Sequence, residues 1–243
     1  MNKTQITSAL TIASLALASS LSAETLASWD YSSNFAATTE ASYIIASDTT
    51  LGTFNGTTGA TGRSGGNGGT LFSRLKELSG AGGDTVIFAT EANAISTNSY
   101  FEFTLTPNGE NINITSFSAD VFAQTLAGDP QAEYTVNYLL RSSEDSYASN
   151  LLTASHTAPA TDGSGDTTTP TAFSGTLSGF DNISSAVTFR IYAYATTATK
   201  TSEQTLRIDN VTFSGSTIPE PSQAAMLLGG ISVALVALRR RKK

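Results

Sequence analysis

Alternation of apolar and polar residues at a period of two runs through most of this chain, and few folds accommodate it. In Tyr100–Thr106, Phe101, Phe103 and Leu105 fall on one side and Tyr100, Glu102, Thr104 and Thr106 on the other. Successive side chains of a β-strand point to opposite faces, so such a segment puts one face in a core and the other in water. Pro107-Asn108-Gly109 follows as a turn, with proline presetting φ and glycine accepting a positive φ. The alternation resumes in Asn111–Thr115 with Ile112 and Ile114, and again in Ser116–Ala123 with Phe117 and Val121.

The same pattern predicts strands over Glu133–Arg141, Ala172–Leu177, Val187–Ala195 and Gln204–Ser214, with earlier ones at Leu26–Tyr31, Ser42–Ala46 and Thr85–Glu91. In Gln204–Ser214, Leu206 and Ile208 share a parity that Val211 and Phe213 do not, so a bulge is expected near Asp209-Asn210. Gly56–Gly69 reads as a loop, and it lacks the Gly-Lys-Ser/Thr ending of a phosphate cradle. Leu71, Leu75 and Leu78 have helical spacing, and His156–Pro170 reads as a long polar loop. Nine or ten strands joined by turns predict an all-β fold, an antiparallel two-sheet sandwich of jelly-roll type.

The chain divides into three parts. Residues 1–23 have a signal peptide's layout: Lys3, an apolar stretch through Leu10, Ile12, Leu15 and Leu17, and the small residue Ala23 before Glu24. Residues 24–217 form the sandwich domain, long enough to bury a core without disulfides, and the chain has no cysteine. That domain carries nineteen acidic and seven basic residues. So acidic a surface argues against nucleic acid and anionic membrane as partners. Residues 218–243 hold Pro219-Glu220-Pro221, an uncharged run from Ala224 to Leu238, and Arg239-Arg240-Arg241-Lys242-Lys243. Two prolines keep the triplet extended, and the terminal cations belong on the cytoplasmic side of a transmembrane helix.

Triplet, apolar run and basic end, in that order, resemble the PEP-CTERM sorting signal of bacterial exported proteins. The resemblance implies recognition of Pro219, Glu220 and Pro221 by exosortase, a membrane-embedded processing enzyme, after export through the Sec translocon. It implies transient anchoring in the inner membrane of a Gram-negative-type bacterium through Ala224 to Leu238, then release to the cell envelope, outer surface or extracellular matrix. The family's association with exopolysaccharide and biofilm implies a structural or adhesive role. The same three features also fit an ordinary C-terminal membrane anchor.

The closing phrase Arg207-Ile208-Asp209-Asn210-Val211 is similar to the last strands of carbohydrate-binding jelly rolls, where the aspartate helps to hold a structural calcium. Asp30 on the first strand is the candidate second ligand beside Asp209, because the terminal strands of such folds often adjoin; hard cations take carboxylate and carbonyl oxygens. No catalytic residue is expected. His156, the only histidine, sits in a predicted exposed loop, and no nucleophile elbow is present. Nothing brings Glu102 and Glu133 to the separation that a glycoside hydrolase needs. Tyr192 and Tyr194 share the outward face of their strand and are candidates for stacking on sugar rings, while Trp29 is expected in the core. A carbohydrate-binding module is therefore the alternative function, and a jelly-roll glycoside hydrolase the second.

Overall fold

The computed structural model describes residues 23–52, 61–64, 69–74, 90–125, 127–128, 130–164, 166–167, 169–196 and 204–218. These form β1 (Glu24–Trp29), β2 (Thr39–Glu40), β3 (Ile44–Ala46), β4 (Thr50–Leu51), β5 (Thr61–Ser64), β6 (Thr70–Arg74) and a short helix α1 (Glu91–Ser96). Then come β7 (Tyr100–Pro107), β8 (Asn111–Thr125), β9 (Tyr134–Ser142), β10 (Leu152–Ala158), β11 (Asp166–Thr167), β12 (Thr171–Thr176), β13 (Val187–Thr196) and β14 (Gln204–Ile218).

The strands make two antiparallel sheets. One runs β11-β8-β14-β1-β2, with β12 also on β8, and β6 joining β14 with β5 beyond it. The other runs β10-β9-β13-β7-β3, with β4 also on β7. Each sheet turns its apolar parity inward, and the two inner faces meet in one core. Phe213 is its hub: its ring lies 4.5 Å from Phe189, 5.1 Å from Phe117, 6.2 Å from Trp29 and 6.3 Å from Phe103, centroid to centroid. Trp29 is fully buried, as its sequence context predicts, and its indole N–H donates to the Ser47 carbonyl at 3.1 Å.

Several expectations need correction; the expected loop His156–Pro170 overlaps β10 and contains β11. Asn111–Thr115 and Ser116–Ala123 are one strand, β8; its apolar parity changes between Ile114 and Phe117 because the register with β14 slips between Ser214 and Gly215. Leu71 begins no helix but belongs to β6, where pairing with β14 overrides the leucine spacing. Part of the expected Gly56–Gly69 loop is β5, paired with β6. Most of the expected strand Thr85–Glu91 lies outside the described residues, and Glu91 itself opens α1, which Thr90 caps through its side chain.

The bulge near Asp209-Asn210 is present. The β14–β8 register slips between Asp209 and Thr212, and Asn210 adopts φ 49°. First and last strands adjoin, with Trp29 opposite Val211 and Glu24 opposite Gly215. The expected signal peptide to Ser22, the expected sorting motif Pro219, Glu220 and Pro221, and the apolar run from Ala224 to Leu238 lie outside the described residues. Among the described residues no helix is long and apolar enough to cross a membrane.

Candidate functional site

The outer face of the second sheet concentrates the side chains able to contact a partner. Strands β7, β13, β9 and β10 lie side by side, and inward burial of Phe101, Phe189, Val136 and their alternates sends the other parity outward. Register then sorts the outward residues into rows. Arg190 faces Glu102 on β7 and Arg141 on β9; Tyr192 faces Tyr100 and Leu139; Tyr194 faces Asn137.

The Arg190 row is an aromatic and ionic clamp. Arg190 Nε donates to Glu102 Oε2 at 2.8 Å, and Nη1 to the Tyr192 hydroxyl at 3.4 Å. Its guanidinium carbon sits 4.1 Å from the Tyr100 ring centroid and 3.9 Å from that of Tyr147, a geometry favourable for cation–π attraction. Burial opposes the charge on Arg190, but the bonds to Tyr192 and Glu102 outweigh it and hold the group above its ordinary range. Arg141, directly opposite, would repel Arg190 if it were free. Instead its Nη2 donates to Glu91 Oε1 at 2.8 Å and its Nη1 to the Tyr147 carbonyl at 2.8 Å. The 3-10 turn Ser143–Asp145 leads into Ser146 and Tyr147, both left-handed at φ 57° and 61°. Consecutive left-handed non-glycine residues are costly. The clamp offsets that cost and delivers the Tyr147 ring to Arg190.

Beyond α1 the same face becomes uncharged. Thr157, Thr135 and Thr196 make one row across β10, β9 and β13, and Ser155, Asn137 and Tyr194 make the next. Thr135 and Thr157 are joined through their hydroxyls at 2.8 Å.

The first sheet holds the two aspartates expected as calcium ligands. Asp209 sits at the β14 bulge opposite Asp120, and Asp209 feels both Asp120 and Asp30 electrostatically. Burial, reinforced by these two carboxylates, pushes Asp209 up to about 6. Asp30 is held below its ordinary value, chiefly by the Ser32 backbone N–H, which donates to its Oδ1 at 2.9 Å. Asp209 Oδ1 accepts from the Asn210 N–H at 2.8 Å, and Asp120 Oδ2 from Asn210 Nδ2 at 2.8 Å. One oxygen of each carboxylate is thus engaged by the protein, and among the described residues no group of three or more Asp, Glu or His has a geometry to hold a metal.

His156 is not on an exposed loop. It lies on β10, is 7 % exposed, and its Nδ1 is 2.9 Å from Thr171 Oγ1 on β12, so it tethers the edges of the two sheets. Tyr192 is not available to a sugar either: it is 2 % exposed beneath Tyr100 and Arg190. Tyr194 remains partly exposed. Glu102 is committed to Arg190, which faces Arg141, while Glu133, just before the start of β9, lies eight residues from Arg141, about 27 Å away at strand rise. That distance exceeds the roughly 5–9.5 Å of paired glycosidase carboxylates. Sequence reasoning missed Tyr147, Arg141 and Asn137; the alternation of β9 marked Asn137 and Arg141 as outward, but their neighbours depend on register.

No family model matches the chain, and no curated protein matches it. Among solved structures, the K1 cleaved adhesin domain of Lys-gingipain from Porphyromonas gingivalis W83 is similar over 76% of this chain and 95% of that one, at 14% identity and a TM-score of 0.35. The K3 cleaved adhesin domain of the same protein is similar over 60% of this chain and 74% of that one, at 12% identity and a TM-score of 0.29.

Proposed function

We propose that this is an exported protein of the cell envelope or extracellular matrix, sorted by exosortase, with a structural or adhesive role tied to exopolysaccharide. The observation that carries this reading is the ordered tail: Pro219-Glu220-Pro221, fifteen uncharged residues from Ala224 to Leu238, and five terminal cations. Two features of the sandwich support it. β1 starts at Glu24, next to the expected signal cleavage, and β14 runs to Ile218, where Pro219 has no N–H to extend a ladder. Removal of both end segments therefore leaves every described strand pairing intact. The surface in between is acidic and free of cysteine, which suits life outside the cell.

The test is made in the native host. Replacement of Pro219-Glu220-Pro221 by three alanines is expected to leave a membrane-retained product larger than the mature form. A variant delivered to the same place at the same size as the parent would overturn the proposal.

A further inference from the structure

Six residues on the outer face of the second sheet form two rows with no charge among them: Thr157, Thr135 and Thr196, then Ser155, Asn137 and Tyr194. Ser155 and Thr157 are exposed and the other four half-buried. In a chain of formal net charge −7 this face is uncharged, and it differs from the hydroxyl rows of the first sheet (Thr176, Ser116 and Ser214, then Ser174, Ser118 and Thr212) in carrying an aromatic ring, Tyr194. It spans about 10 Å across the strands and about 7 Å along them.

We infer that this face binds a neutral polysaccharide chain lying across β10, β9 and β13. The inference rests on the envelope-matrix reading above and names the class of polymer involved. Three arguments converge on that occupant. The strand spacing is of the same order as one ring of an extended glycan, so successive sugars fall over successive strands. Hydroxyls and a carboxamide, each both donor and acceptor, match the hydroxyls of a sugar without the desolvation cost of a charge. Tyr194 supplies a flat ring with a polar tip beside them. The absence of any cation from the six positions, within an acidic domain, selects against anionic polymers.

Affinity electrophoresis of the full-length protein tests this, in gels containing hydroxyethyl cellulose, a soluble β-1,3-glucan or galactomannan, with alginate as the anionic control. At least one neutral polymer is expected to retard the parent, and alginate is not. Tyr194→Ala is expected to weaken retardation at least tenfold and Ser155→Glu to abolish it. Thr176→Ala, on the opposite sheet, changes nothing, and circular dichroism melting checks that every variant folds. The inference is overturned if no neutral polymer retards the parent, if alginate retards it equally, or if the folded Tyr194→Ala and Ser155→Glu variants bind as the parent does. Concentration-dependent self-association that Ser155→Glu abolishes would assign the face to a second copy and likewise overturn it. None of these results alters the sorting of the chain, which the tail substitution reads separately.

Discussion

The phenol of Tyr138, rooted on β9 in one sheet, donates to the carbonyl oxygen of Phe122 on β8 in the other at 2.8 Å. It also accepts from the Arg207 N–H at 3.3 Å, so a single hydroxyl is stitched into the β8–β14 ladder across the core. Tyr134, four residues earlier on the same face, does the same with the Gln124 carbonyl at 2.8 Å and the Thr205 N–H at 3.1 Å. Burial raises both phenols, so they stay protonated donors. Tyr138→Phe keeps the ring but leaves buried backbone groups short of a partner, which costs about 1–3 kcal/mol. Urea unfolding is expected to show a lower midpoint with an unchanged slope. A midpoint equal to the parent's would mean that the strut carries no stability.

Phe213 touches Phe189, Phe117, Trp29 and Phe103, residues from both sheets. Phe213→Ala removes the shared contact and leaves a cavity that β-sheet backbones cannot easily close, at a cost of about 3–5 kcal/mol. Phe72→Ala, on the opposite parity of its strand and only partly buried, is expected to cost clearly less. Thermal melting of the two variants compares them directly.

Period-two reading located β7, β9, β12, β13 and β14 to within a few residues, because their buried side chains are large and regularly spaced. It also placed the β14 bulge, because the apolar parity changes between Leu206 and Ile208 before Asp209-Asn210 and Val211 and Phe213 after it. It failed on β10, whose inward residues include only Ala154, His156 and Ala158 beside Leu152; small residues on an edge carry almost no hydrophobic signal. The candidate faces were legible as lists of outward residues. Their assembly was not, because Arg190 meets Arg141 and Tyr194 meets Asn137 only once the β13–β9 register is known.

Two glycines in strands separate a backbone constraint from a side-chain one. A Cβ on Gly215 would run into the Asn113 carbonyl, at the point where the β14–β8 register slips. Backbone on both sides must then move, and Gly215→Ala is expected to cost about 3 kcal/mol. A Cβ on Gly175 meets only the end of the Leu152 side chain, which can rotate away. Gly175→Ala should therefore fall within about 1 kcal/mol of the parent. Equal melting temperatures for the two variants would contradict this reading of the bulge.

Acid and base should destabilise the domain from opposite sides through two named groups. Asp209, raised from 3.8 to about 6 by burial and then by Asp120 and Asp30, holds its proton more tightly folded than unfolded. Between these values the folded state binds more protons, so stability falls as the pH rises through this window and the loss is complete above it. His156 is lowered from 6.5 by burial, so the unfolded chain binds more protons there and stability falls as the pH drops below 6.5. Asp209→Asn retains an oxygen for the Asn210 N–H while removing the charge. It is expected to raise the melting temperature at pH 8 and to change it little at pH 5. The calcium expectation for Asp30 and Asp209 is read in the same series. Were a cation shared between the two carboxylates, it would relieve their repulsion as a proton does: added calcium would raise the parent's melting temperature at pH 8, excess chelator would reverse the gain, and Asp209→Asn would lose both responses. A parent that melts identically with calcium and with chelator removes calcium from the site. A variant no more stable than the parent at pH 8 removes the repulsion argument as well.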